Sequence, residues 1–413
     1  MTDAVPEDVS RGSAPQVLGA LLRRYGDFDA AEDAVQEALL AASVQWPAEG
    51  TPDNPTAWLI RVASRRLIDR QRSDRARADR EQAAATQVPA DELYSAAADG
   101  EDAHARDDTV LLLLLCCHPA LTRASQVALS LRAVGGLTTA QIARAFLVPE
   151  STMVQRISRA KARLREVDAR FTLPAREELP DRMASLQHVL YLIFNEGYTS
   201  TGGGTLYDVT LTGEAIRLTR QLHQQLPDSV EVAGLLALML LTDARRAARA
   251  HADGSLVPLA RQNRARWDRA AITEGTRLLD TVLTRGHVGP YQLQAAIAAV
   301  HSEAKSWEET DWMQIVVLYR MLDDIAPSPA VTLNLAVAVA MAHSPDAGLR
   351  MLDPLLDDPR TRRNHRTHAV RAHLLEMTGR NVEAGAAYAA AARLTTSIPE
   401  QRYLNSKAAQ LNR

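Results

Sequence analysis

Apolar positions between residues 138 and 165 recur every three to four residues, first over a short run and then over a longer one. Thr138-Thr-Ala-Gln141 predicts a capping box that opens a short helix with Ile142, Ala143 and Phe146 facing inward. Leu147-Val148-Pro149 predicts a turn. Ser151 or Thr152 is expected to cap the helix that follows, whose buried stripe is Met153, Ile157, Ala160 and Leu164. Together these elements predict a helix-turn-helix, in which the second helix enters the major groove of DNA. Thr152, Gln155, Arg156, Ser158, Arg159 and Lys161 remain outside the stripe. Arg and Gln can pair bidentately with guanine and adenine edges, and the others suit phosphate contacts, which position without specifying.

The same periodicity appears upstream. Asp29-Ala-Ala-Glu32 fits a second capping box with Asp29 as N-cap, and the helix after it places Ala34, Val35, Ala38, Leu39 and Ala42 on one face. Asp33, Gln36 and Glu37 form an acidic and amide surface on the other side. Trp46-Pro47 and the Gly-Thr-Pro at 50–52 predict a break, and Asn54-Pro55 predicts a new start with Asn as cap and Pro at the first helical position. The new helix carries Trp58, Leu59, Ile60, Val62, Leu67 and Ile68 among arginines that lack a Glu at i±4. Guanidinium groups left unpaired along one helix suit phosphates and stacked bases. Farther on, 107–117 and 123–134 read as two apolar-periodic helices split by His118-Pro119, the second ended by Gly135-Gly136.

The last 240 or so residues show helix-pair periodicity instead. Leu173-Pro174 and Leu179-Pro180 mark a linker. Three glycines at 202–204 lack the Gly-Lys-Ser/Thr of a phosphate loop and predict a connection between helices. Ala372, Leu375, Gly379, Ala384, Tyr388 and Ala391 fall at tetratricopeptide (TPR) spacings, and 335–354 is a weaker copy with Ala347 at the small position. A TPR-like array over about 183–413 follows, with a concave surface suited to a protein or peptide.

Composition narrows the class. The 413 residues are rich in Ala, Leu and Arg with only 4% aromatics, which favours an all-α protein, and the length allows about three domains. Cys116 and Cys117 are adjacent, so they make neither a disulfide framework nor a CxxC metal site and are expected to be buried small hydrophobes. The polar N-terminus carries no signal peptide, and the apolar run 111–117 is too short to span a bilayer, so a cytoplasmic location without membrane contact is expected. Net charge is only −3, so a nucleic-acid signal must be local. It is local: eight arginines face three aspartates over 61–80, eight acids face one arginine over 81–108, and six cations face two acids over 154–170. Two DNA-facing modules joined by a solvated acidic linker are the expected arrangement. There is no HExxH, GxSxG or Rossmann glycine pattern, and His365, His368 and His373 have no carboxylate beside them to complete a familiar metal site. No catalysis, metal or cofactor is expected.

Ala-Glu-Asp-Ala-Val-Gln-Glu-Ala-Leu at 31–39, with Asn-Pro-Thr-Ala-Trp-Leu-Ile-Arg-Val-Ala-Ser-Arg-Arg-Leu-Ile-Asp-Arg at 54–70, resembles region 2 of bacterial sigma factors of the extracytoplasmic-function type. The stretch 148–165 resembles region 4 of the same family, with departures at Ser151, Val154 and Gln155, which are base-reading positions. The resemblance implies that Asp33, Gln36 and Glu37 contact the β′ clamp helices of core RNA polymerase, with the β flap as a further contact. It implies that Trp58, Arg61, Arg65, Arg66 and Arg70 melt and hold the promoter −10 element, where flipped bases need stacking and phosphate partners. Ser151, Thr152, Gln155, Arg156, Ser158, Arg159 and Lys161 would read the −35 element. Asn195, Glu196, Gly197 and Tyr198 look like the Asn-Glu-Gly-Tyr signature of sigma factors with a long helical extension, in which role the extension would regulate activity. The domains so expected are region 2 at 14–82, an acidic linker at 83–106, region 4 at 107–171 and the TPR-like extension at 183–413. A freestanding helix-turn-helix regulator with TPR-like repeats is the alternative, and the Asp33, Gln36 and Glu37 surface divides the two.

Overall fold

A computed structural model describes residues 7–83, 108–199, 206–286, 288–359 and 361–411, with the backbone alone at 7–11 and 74–83. Most of the acidic linker and the three glycines at 202–204 lie outside the described residues. The described chain is all-α, and its residues fall into two compact units, Met1–Val189 and Leu190–Arg413.

In the first unit, helices α1 (Glu7–Tyr25), α2 (Phe28–Glu49) and α3 (Pro55–Ala83) pack on one another. Leu18, Leu21, Ala31, Val35, Ala38, Leu59, Ala63 and Leu67 are buried there. Asn54 caps α3 through the Ala57 N–H at 3.0 Å, as Asn-Pro predicts. The cap of α2 is Asp27 rather than Asp29: its side chain accepts from the Ala30 N–H, and Asp29 is already helical. Helix α2 also runs through Pro47 to Glu49 instead of breaking at Trp46-Pro47. Trp46 is buried edge-on against Trp58 of α3, ring centroids 5.4 Å apart, and this packing holds the last turn in place.

Helices α4 (Thr109–Cys116) and α5 (Arg123–Ala133) follow, then the helix-turn-helix α6 (Thr139–Ala145) and α7 (Glu150–Glu166). Cys116 and Cys117 are buried and free, and burial pushes the Cys117 thiol up to about 12. The Thr138/Gln141 capping box forms in full. Val148 N–H bonds to Ala143 O and Leu147 N–H to Arg144 O, a Schellman closure with Leu147 at φ 51°. Helix α7 starts at Glu150 after Pro149, so neither Ser151 nor Thr152 is its cap. Met153, Ile157, Ala160 and Leu164 form its buried stripe.

Helix α8 (Leu179–Tyr198) leads into the second unit, which continues with α9 (Val209–Gln225), α10 (Val230–Asp243), α11 (Arg269–Leu283), α12 (Pro290–Glu303) and α13 (Trp312–Ile325). Helices α14 (Pro329–Ala342), α15 (Pro345–Asp357), α16 (His365–Met377), α17 (Asn381–Leu394) and α18 (Ile398–Leu411) complete it. Each of α13 to α18 packs mainly on its chain neighbours, as expected where a helix pair cannot bury its apolar face alone, whereas α12 packs chiefly on α10. Ala372, Leu375, Ala384, Tyr388 and Ala391 share one core, and Gly379 turns the chain at φ +76°. In the preceding pair a Cβ at Gly348 would lie 2.6 Å from Ala336 O, and Ala347 packs against the core of Ile315, Leu335 and Val339.

Candidate nucleic-acid and polymerase interface

The exposed face of α7 is polar at its N-terminal half except for Val154, which is exposed as well. Ser151, Gln155, Ser158 and Arg159 are exposed, and Thr152 and Arg156 are half-buried. Helix periodicity brings these six to one side because Met153, Ile157 and Ala160 take the other. Arg159 donates from Nε to Gln155 O at 3.2 Å.

Lys161 stands apart. Only 6% of its side chain is exposed, and Nζ lies 2.8 Å from Asp29 Oδ1, 2.9 Å from Glu32 Oε2 and 2.6 Å from Asp33 Oδ1. All three acceptors belong to α2. Burial would lower the ammonium pKa, but Glu32 and the bonds to Asp29 and Asp33 outweigh it and hold the pKa raised. Glu32, itself buried, also accepts from Arg132 Nε of α5 at 3.0 Å. Gln36 Nε2 donates to Arg132 O at 3.2 Å, and Arg165 pairs with Asp29. Two of the three expected polymerase contacts, Asp33 and Gln36, thus face α7 and α5, and Lys161 faces α2 rather than solvent.

Glu37 remains exposed, with Arg66 Nε at 3.8 Å. Arg70 Nη1 lies 2.8 Å from Asp33 Oδ2. For Asp33 burial acts to raise the carboxyl pKa, and the bonds to Lys161 and Arg70 reverse that, leaving it lowered. The arginines without a local Glu therefore find acids on the neighbouring helix at two positions. Arg61 and Arg65 are exposed and have no ion pair among the described residues. Trp58 is half-buried on Trp46, so part of its ring is structural.

Two residues that sequence reasoning passed over belong with Glu37. Leu40 and Val44 are 67% and 69% exposed, and with Glu37, Ala41, Gln45 and Arg66 they line one shallow recess. Their signal is the spacing 33, 37, 40, 44, which continues the acidic face along α2 with apolar side chains.

In the second unit, Gly197 is held where a Cβ would lie 2.7 Å from both Leu211 Cβ and Thr212 N, so α8 meets the start of α9 through a residue without a side chain. Tyr198 stacks on Phe194 at 5.7 Å, and the Arg249 guanidinium lies 3.7 Å over its ring while donating to its carbonyl. Asn195 contributes its carbonyl to the Thr199 N–H and hydroxyl. Glu196 is half-buried. His365 pairs with Glu400 at 3.2 Å and His368 with Arg362 O at 2.7 Å; no three potential metal ligands cluster among the described residues.

Residues 11–77 match sigma-70 region 2, and residues 111–164 match sigma-70 region 4. The chain belongs to the sigma-70 family. Sigma-70 family factors are DNA-binding transcription initiation factors, and the two matched regions give this family member a role in promoter recognition, with core RNA polymerase and promoter DNA as partners. Residues 182–283 match a family of unknown function, DUF6596. An uncharacterized protein of Rhizobium meliloti (strain 1021), R00370, is 42% identical over 413 residues, covering 98% of this chain and 95% of its own length. Among the described residues no helix of this sigma-70 family member is long and apolar enough to cross a membrane.

Proposed function

We propose that this sigma-70 family member is an extracytoplasmic-function type sigma factor with a TPR-like regulatory extension. In this reading Asp33, Gln36 and Glu37, extended by Leu40 and Val44, dock on the β′ clamp helices of core polymerase, and region 4 takes the β flap. Trp58, Arg61, Arg65, Arg66 and Arg70 open and hold the −10 element, and the exposed half of α7 reads the −35 element.

The observation that carries the reading is the pairing of two surfaces in one compact unit: an acidic helix with exposed apolar residues beside an arginine-rich helix, and a recognition helix whose outward face is polar and cationic. Core polymerase offers a protein surface for the first and promoter DNA a phosphate and base surface for the second. Because Lys161 engages Asp29, Glu32 and Asp33, α7 and α2 must part before Asp33 and Lys161 can meet polymerase and DNA. Polymerase binding would supply the energy, since a ligand shifts an equilibrium by its preference for one state.

The extension is read as the element that governs this exchange, with Asn195, Glu196, Gly197 and Tyr198 at its entry. The close approach at Gly197 and the Arg249 contacts of Tyr198 support a role in setting how the extension begins. Transcription in vitro with core polymerase over a genomic promoter library tests the whole. Initiation at a discrete set of promoters is expected. Failure to direct any start, together with failure to co-purify with core, would sink the reading.

A further inference from the structure

Between residues 108 and 171 two large apolar side chains stand exposed, Leu147 at 54% and Val154 at 51%. Leu147 belongs to the turn before α7, where its positive φ and the bond from its N–H to Arg144 O account for its place. Val154 has no such account. It sits in the second turn of α7 with ordinary helical backbone. A β-branched residue suits an exposed helix position less well than Ala, Lys, Arg or Gln, and an exposed valine gains no burial energy in return.

Its neighbours on the helix surface are short. Ser151 lies one turn before it and Ser158 one turn after it, both exposed, with Gln155 beside it. Along the line Ser151, Val154, Ser158 the valine is therefore the most projecting side chain, and the helix can approach a groove floor closely there. Gln155 and Arg159 rise on the adjoining line. Glu150 is the one acid in the first three turns, at the helix start.

A side chain without donor or acceptor has one feature to recognise in the major groove. Base edges there present donors and acceptors, and the C5-methyl of thymine is the apolar group among them. The isopropyl group of a helical valine holds nearly one χ1 rotamer, so covering it costs little ordering. Burying one methyl against it is worth about fourfold in affinity.

We propose that Val154 reads the 5-methyl group of a thymine in the −35 element and is a specificity-determining residue of this protein. The proposal rests on the assignment of α7 to the −35 element and adds the base feature that is recognised. Ser151 and Ser158 act by being short, letting the valine reach the groove floor.

The test uses the full-length protein bound to core polymerase and the duplex it prefers among fragments with a randomised −35 segment. Each thymine of the preferred segment, on either strand, is replaced in turn by deoxyuridine, which lacks the 5-methyl and keeps every hydrogen-bonding group. At one position the loss should weaken binding about fourfold in the unsubstituted protein and no more than about twofold in Val154→Ala. Alanine is the better helix former at this exposed site, so the variant keeps its fold. A second selection with Val154→Arg should no longer return thymine at that position, since Arg pairs with guanine O6 and N7. Deoxyuridine without effect at every position, a methyl effect that Val154→Ala retains, or thymine still selected by Val154→Arg overturns the proposal and leaves the −35 role of α7 standing. An equal loss in Val154→Ala with and without the methyl also overturns it, and assigns Val154 to a protein contact. Absence of any preferred segment removes the −35 role itself, and the proposal with it.

Discussion

Replacing Lys161 by Met removes a charge while keeping the length and apolar stem of the side chain, so it isolates the ion cluster between α7 and α2. Three carboxylates lose their shared cation. Asp29 and Asp33 are about one-third exposed and keep Arg165 and Arg70, so water and those partners soften their loss. Glu32 is the costly one, 2% exposed at its side chain and left with Arg132 alone. Removing one partner of a buried pair costs about 3–5 kcal/mol. With Arg132 retained, about 2–3 kcal/mol is expected, a shift of about 30- to 150-fold toward separated α2 and α7. Energy transfer between dyes at Ser43→Cys and Ser158→Cys reports the separation. Cys116 and Cys117 will not compete for label at neutral pH, because both are buried and burial raises their pKa. Transfer should fall in Lys161→Met, and affinity for core polymerase should rise because Asp33 is released. Unchanged transfer with unchanged or weaker polymerase binding would refute the argument that this cluster holds the two helices together. The sign with pH is fixed as well. Asp33 has a lowered pKa, so its contribution is full above about 3.8 and is lost as pH falls through its folded value; Lys161 has a raised pKa, so its contribution is full below about 10.5 and is lost only above that.

Arg159→Ala should weaken binding to a −35 duplex by about 1–3 kcal/mol if its exposed guanidinium reads a base, and equal mobility shifts for both proteins would remove it from the readout. Gly197→Ala places a methyl 2.7 Å from Leu211 Cβ and Thr212 N, one of them backbone, and should lower stability by about 1–3 kcal/mol; an unchanged thermal midpoint would mean that α8 and α9 yield more easily than their spacing suggests. Burial, then Arg245 and Arg264, pull the His301 pKa down to about 3 from 6.5, so between those values the unfolded chain binds a proton that the folded one does not. Stability should therefore decline as pH falls from 6.5, by about 4 kcal/mol near pH 3.5, and His301→Gln should flatten the urea-midpoint profile. An identical slope in the variant would contradict the assignment.

Much of the first unit was legible from local pattern. The Thr138 capping box, the Asn54-Pro55 start and the stripe Met153, Ile157, Ala160 and Leu164 need only a few residues of context. Where local signals competed, packing chose between them. Asp27 and Asp29 both suit an N-cap, and with Asp27 as the cap Asp29 and Glu32 are left to meet Lys161. Pro47 discourages a helix, and the buried Trp46 against Trp58 sustains one. The arginines of α3 have no Glu at i±4 within their own helix, whereas Arg66 and Arg70 reach acids on α2.

The sequence by itself determined the buried stripes of several helices in the first unit, where some of them begin, and that two modules of the sigma-70 family precede a helical array. Those are consequences of backbone capping and a 3.6-residue period, both short in range. Only the tertiary structure decided which way Lys161 points and what Asp33 meets. Lys161 sits at the edge of its helix stripe, free by periodicity to face either side, and the carboxylates that settle the choice lie about 130 residues away in the chain. Coulomb energy and burial depend on distance in space, and no local pattern carries that distance.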